Sequence, residues 1–170
     1  PEMWIYQKGI YVPYAKTYIK EFCREILGAL YKVHFINQVV EKVMADTFIH
    51  HEDFFVNENL NKVPLLNGIL DLRTKSLEPY NSKYKFFSKL PIHFDPIIKP
   101  TKSLKFIVEV LQEKDVQVIQ ELFGYFLMRR YMFEVAFMFI GKGRNGKSKL
   151  MSLFQRFIGV ENASSIPLQT

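Results

Sequence analysis

The chain has 170 residues, 48% of them hydrophobic and 24% charged, an ordinary globular balance that excludes a disordered or low-complexity protein. Such a length suits one good-sized core, or one domain plus a piece of a second. Lys and Arg number 23 against 17 Asp and Glu, for a net charge of +6 and a pI near 9.3. That favours an anionic partner such as nucleic acid only modestly, because solvated surface lysines explain it equally well.

Cys23 is the single cysteine, so an internal disulfide is excluded and a reducing, cytoplasmic setting is expected. Its place on the apolar side of a helical pattern predicts a buried structural thiol. No apolar run reaches the roughly 18 residues that a membrane span needs, and PEMWIYQ lacks the basic and apolar regions of a signal peptide. A first residue of Pro instead of Met suggests a piece of a longer chain.

In chain order, WIYQKGIYVPY (Trp4 to Tyr14) predicts a hairpin about Lys8-Gly9, with Gly9 at positive φ. Tyr18/Ile19, Phe22/Cys23, Ile26 and Leu30 then recur at helical spacing, although Gly28 weakens that helix. Phe35/Ile36, Val39/Val40, Val43/Met44 and Phe48 mark a second helix. Both stripes are expected to face a core. HHEDFF (His50 to Phe55) gathers two histidines and two acids, but adjacent residues point different ways and no second ligand cluster has metal-type spacing; a polar helix end or loop is expected.

VPLLNGILDL (Val63 to Leu72) is strand-like, with a turn or bulge at Asn67-Gly68 and another turn at Arg73 to Ser76. Prolines 79, 91 and 96 confine the partly alternating LEPYNSKYKFFSKLPIHFDP to short or edge strands. Pro100-Thr101 opens a helix with Thr101 as its expected cap, carrying Leu104, Phe106/Ile107 and Val110/Leu111. Asp115 is expected to cap the next, with Val116, Ile119, Leu122/Phe123 and Phe126 on its apolar face. EVAFMFI (Glu134 to Ile140) ends in six apolar residues without alternation, the pattern of a strand buried on both faces of a parallel sheet.

Gly141-Lys142-Gly143-Arg144-Asn145-Gly146-Lys147-Ser148 fits GxxxxGK[ST] in full. The glycines let backbone N–H groups turn inward as an anion nest. Lys147 is placed to meet the β- and γ-phosphates of ATP, and Ser148 to hold Mg²⁺ through the nucleotide. A helix beginning there, with Leu150, Leu153/Phe154 and Phe157/Ile158, directs its positive end at the same anion and stops at Gly159. All eight residues are candidate nucleotide-binding positions, and Lys147 and Ser148 the candidate catalytic ones. Turnover also needs an acidic strand and an arginine from a neighbour. After Ser148 the only acid is Glu161, so the chain alone is expected to bind nucleotide and to hydrolyse it poorly or not at all.

Several of these stretches resemble one family, the phage-, plasmid- and poxvirus-type primase–helicases, whose motors are superfamily 3 helicases. WIYQKGIYVPY is similar to the opening of their pre-helicase domain, and LLNGILDLRTKSLEPYNSKYKFFSKLPIHFDP to its most specific segment. ELFGYFLMRRYMFEVAFMFIGKGRNGKS resembles the approach to their ATPase, and GVENASSIPLQT the stretch after its first helix. The resemblance implies an ATP-dependent, hexameric replicative DNA helicase, with DNA, further copies and other replication proteins as partners. It implies a pre-helicase domain over 1–100, a helical connection over 101–133, and the start of a P-loop ATPase over 134–170.

The fold expected is therefore α+β, helices with a small irregular sheet (a winged helix is one form this can take), leading into the first βα unit of an AAA+-like ATPase. Two other classes compete. One is a non-catalytic DNA- or protein-docking module whose loop is vestigial or binds nucleotide only. The other, a small-molecule kinase, would need a lid and catalytic acids that the sequence does not offer. Arg73, Lys75, Lys83, Lys85 and Lys89 lie among Tyr80, Tyr84, Phe86 and Phe87 as a single-strand groove would have them. An amphipathic segment with lysines out and aromatics in is the preferred reading, and no DNA-contacting residue is assigned.

Overall fold

Lys8 and Gly9 both hold positive φ, 46° and 94°, the backbone of a two-residue hairpin turn whose twist matches that of its strands. It joins β1 (Ile5–Gln7) to β2 (Ile10–Val12) in antiparallel register, Gln7 opposite Ile10. A side chain at position 9 is further barred by the Tyr80 ring, 2.5 Å from where a Cβ would sit. The computed structural model describes residues 2–55 and 59–166. They divide into two units, residues 2–55 with 80–88 and residues 59–79 with 89–166.

In the first unit the hairpin leads to α1 (Ala15–Leu27) and, through a short 3₁₀ turn, to α2 (Val33–Asp46) and the one-turn α3 (His51–Phe55). Ala15, Ile36 and Val40 are buried. The rest of the expected core stripes is not: Tyr18, Phe22, Ile26 and Leu30 are 47%, 51%, 65% and 76% exposed, and Phe35, Val39 and Phe48 are exposed too. Cys23 is only partly buried. A two-stranded hairpin and one neighbouring helix offer too little surface to cover apolar stripes this wide. Residues 80–88 return to the hairpin. Tyr11 N donates to Phe86 O at 2.6 Å and Tyr11 Oη to Ser82 O at 2.8 Å. Phe87 packs edge-on against Trp4 and Phe54, with ring centres 5.2 and 5.6 Å away.

In the second unit β3 (Lys62–Leu65), β4 (Gly68–Asp71) and β5 (Ser76–Glu78) form an antiparallel sheet in that order. Both expected turns are present. Gly68 starts β4 with φ 149°, where a Cβ would lie 2.5 Å from Glu78 O. Asp71 Oδ1 accepts from Arg73 N and Thr74 N at 2.8 and 3.2 Å, closing the second turn. The free edge of β3 is covered by a proline-interrupted stretch: Leu90 N donates to Pro64 O and Leu66 N to Ile92 O, both at 3.0 Å. Val63, Leu65 and Leu70 are buried against Leu90, Ile92, Phe94 and Leu127.

Three further helices build a separate core: α4 (Thr101–Val110), α5 (Glu113–Phe126) and α6 (Lys147–Ile158). Ile107, Ile119, Leu122, Leu150 and Phe154 are buried together. The Phe154 ring lies 4.8 Å from Phe123, 5.3 Å from Phe126 and 6.0 Å from Phe139. Two expected caps are corrected. Pro100 and Gln112 occupy the cap positions of α4 and α5, without side-chain hydrogen bonds. Thr101 is thus the first helical residue, and Asp115 lies in the first turn of a helix that starts two residues earlier. Gly159 ends α6 at φ 92°, its N–H donating to Gln155 O, as expected.

The architecture is mixed α+β, with small antiparallel sheets and six α-helices among the described residues. The expected strand Glu134 to Ile140 is not formed. That stretch has no regular secondary structure, with Val135, Phe137, Met138 and Ile140 at 62%, 47%, 83% and 84% exposure. A strand exists only through its hydrogen-bonding neighbours, and among the described residues no strand pairs with it. Of the expected βα unit the described residues thus form the helix α6 but no strand. The last residues of GVENASSIPLQT, 167–170, lie outside the described residues. Among the described residues no helix is long and apolar enough to cross a membrane.

Candidate nucleotide-binding site

The loop from Gly141 to Gly146 bends back through two left-handed residues, Arg144 (φ 61°) and Gly146 (φ 84°), and delivers Lys147 as the first residue of α6. The first intrahelical bond runs from Leu150 N to Gly146 O at 3.0 Å. The N–H groups of residues 147–149 therefore have no acceptor within the helix, and together with the helix dipole they make that end electropositive.

Lys147 folds over the loop. Its Nζ donates to Gly141 O at 2.6 Å, Asn145 Oδ1 at 2.9 Å and Lys142 O at 3.0 Å. Three acceptors match the three protons of an ammonium. All are neutral, so an anionic oxygen arriving there would bind the same cation more strongly. A Cβ at position 141 would fall 2.1 Å from Asn145 Nδ2, so a side chain there would displace the end of the exposed Asn145. Gly146 is required twice: by its φ, and by Val110 Cγ1, 2.7 Å from where a Cβ would sit. Gly143 meets no such obstacle. Lys142 and Arg144 are exposed, as is Ser148 in the first turn of α6.

A cleft of about 440 Å³ adjoins the loop. Gly141, Asn145, Gly146 and Lys147 line it; Lys142, Gly143, Arg144 and Ser148 do not. Its other wall is the corner between α4 and α5, with Val110, Gln112 and Asp115. Sequence reasoning did not connect these residues to the loop, some thirty positions away: Val110 read as a core residue and Asp115 as a cap. Charge in the sequence marks the surroundings of the loop and not this wall. Between residues 129 and 156 stand Arg129, Arg130, Lys142, Arg144, Lys147, Lys149 and Arg156 against the single acid Glu134.

The aromatic and basic middle segment is built otherwise. Tyr84 and Phe86 are 7% and 1% exposed, Lys83 Nζ lies over the Tyr84 ring, and Lys85 Nζ donates to Asp53 O. Aromatics face in and lysines out, so these two rings offer no face for base stacking. Arg73, Lys75 and Lys89 belong to the second unit and Lys83 and Lys85 to the first. His50 to Phe55 supplies α3, and among the described residues no group of three or more His, Cys, Asp or Glu could hold a metal ion. Glu161 sits in a 3₁₀ turn after α6 and is exposed.

A family model described as D5 N terminal like matches residues 4–116. No curated protein matches the chain.

Proposed function

The chain belongs to the D5 N-terminal-like family, that of the N-terminal domains of phage and viral primase–helicase proteins, and on that premise we propose that it carries this domain into the first phosphate-binding unit of an ATP-dependent replicative DNA helicase. The parent would form a hexameric ring and couple ATP hydrolysis to DNA unwinding inside the cell. The matched span ends before Gly141, so the nucleotide part of this reading rests on the loop's own residues. In functional terms 1–100 is the pre-helicase part, 101–133 the connection and 134–170 the start of the motor; the two compact units cut across these roles.

The observation that carries the proposal is the Lys147 ammonium, held by three neutral oxygens at the N-terminus of α6. When a nucleoside triphosphate enters, its β- and γ-oxygens replace those acceptors, and the N–H groups of the loop and of the first helical turn bind the remaining charge. Ser148 is the residue that would hold Mg²⁺, whose charge would offset that of the phosphates. Lys142 and Arg144, exposed at the loop, add positive field. Calorimetric titration of ATP with Mg²⁺ into the chain and into Lys147→Ala tests this: saturable binding lost in the variant is expected, and equal, negligible binding by both refutes it.

The competing reading, a docking module with a vestigial loop, draws support from the unpaired Glu134 to Ile140 stretch. It predicts that second, negative result.

A further inference from the structure

The Lys147 ammonium has three protons to place, and the loop supplies all three acceptors from within itself. Two are backbone carbonyls, Gly141 O and Lys142 O, which no substitution removes. The third is a side chain, Asn145 Oδ1 at 2.9 Å. An ammonium only donates, so the amide oxygen must face it and Nδ2 turns to the other side. There Nδ2 lies over Gly141, 2.1 Å from where a Cβ would be. Asn145 stands between the two left-handed residues of the loop, Arg144 and Gly146, and its carboxamide spans the gap between Gly141 and Lys147. All three of these residues line the cleft.

A carboxamide in that place takes up a bonding direction of the ammonium that an arriving phosphate oxygen must claim. The bond between Asn145 and Lys147 therefore opposes binding by whatever it costs to break. Asn145 is exposed, so water replaces part of what is lost, and the effect is a factor of a few and not of hundreds.

We infer that Asn145 is a latch on Lys147: it holds the ammonium folded onto its own loop and must release it before a phosphate oxygen can bind there. This rests on the phosphate-loop reading above. It adds a side chain that works against binding, and that does so only through Lys147.

Inorganic tripolyphosphate and ATP, each with Mg²⁺, are titrated into the wild-type chain, Asn145→Ala, Asn145→Asp, Lys147→Ala and the variant carrying both alanines. Asn145→Ala is expected to bind both probes about three- to fivefold more tightly, the net worth of one exposed hydrogen bond. Asn145→Asp keeps the shape but sets a carboxylate against the ammonium and against the incoming phosphate, and should bind both at least about tenfold more weakly. Opposite signs are what a latch requires, since a side chain that only shaped the loop would weaken binding in both variants. In the Lys147→Ala background, Asn145→Ala should change nothing. A second readout needs no phosphate: the rate at which an amine-reactive reagent labels Lys147, followed by mass spectrometry, should rise in Asn145→Ala and fall in Asn145→Asp. Equal or weaker binding by Asn145→Ala, while all binding still depends on Lys147, overturns the latch and leaves the phosphate loop standing. Were neither probe to bind the wild type or Asn145→Ala, the loop reading would fail and the latch with it.

Discussion

Gly146 is the position where the loop and the α4–α5 corner constrain each other most tightly. Its φ of 84° lies in the left-handed region, and a Cβ there would sit 2.7 Å from Val110 Cγ1 and 3.1 Å from Val110 Cβ. Gly146→Ala therefore carries two separable costs. The backbone conformation costs a non-glycine residue about 1–2 kcal/mol, and overlap with a packed side chain about 1–3 kcal/mol. Together they approach a large share of the roughly 5–15 kcal/mol that holds a domain folded. Val110→Ala removes Cγ1, the atom in hardest overlap, and leaves Cβ at 3.1 Å, so the double variant should recover most of the steric part and retain the backbone part. Urea unfolding of the wild type, both single variants and the double, monitored by circular dichroism, measures this. A favourable coupling of about 1–2 kcal/mol is expected. Single effects that add to within about 0.5 kcal/mol would mean that Val110 does not touch the loop, and that the corner forms no wall of the cleft.

Particular contacts set three further outcomes. The Asp71 carboxyl is held below the usual carboxylate range, first by the N–H groups of Arg73 and Thr74 and then by the Lys62 ammonium. A lowered folded pKa adds stability that is present above the unfolded value near 3.9 and lost as pH falls through the folded one. Below about pH 4 the wild type should therefore lose urea resistance more steeply than Asp71→Asn; parallel curves would contradict the assignment. Phe154→Ala, at a side chain 6% exposed within a ring cluster, should cost about 3–5 kcal/mol. Phe22→Ser, on the exposed side of α1, should stay within about 0.5 kcal/mol, and similar losses at both sites would refute the distinction. Replacing Met138 and Ile140 together by Lys should leave the urea midpoint unchanged and reduce concentration-dependent light scattering, since both are more than four-fifths exposed in an unpaired apolar stretch. A lowered midpoint would place that stretch in the core.

Local features were legible in the sequence because neighbouring residues create them. Lys8-Gly9 made its turn, Gly159 stopped α6, and the period of Leu150, Phe154 and Phe157 produced a helix whose buried face is the expected one. The match of Gly141 to Ser148 to a phosphate-loop signature is visible because its eight residues are contiguous; phosphate binding there is the proposal made above. The cleft's second wall could not be read, because only packing brings Val110 and Asp115 beside Gly146 and Lys147. The caps of α4 and α5 were missed by one and three residues, since Pro100 and Gln112 hold those positions with no side-chain hydrogen bond to mark them.

What the sequence by itself determined is the residue pattern of the Gly141 to Ser148 loop, the order of most elements, and the alternation that buries Tyr84 and Phe86. Tertiary structure decided which apolar stripes find partners. Tyr18, Phe22 and Ile26 have core-like spacing and stay exposed, and Glu134 to Ile140 has the composition of a central strand and is none. The physical reason is the same in both cases. Periodicity specifies a face, but burial and strand pairing require a second surface, and whether one is supplied depends on residues far away in the chain.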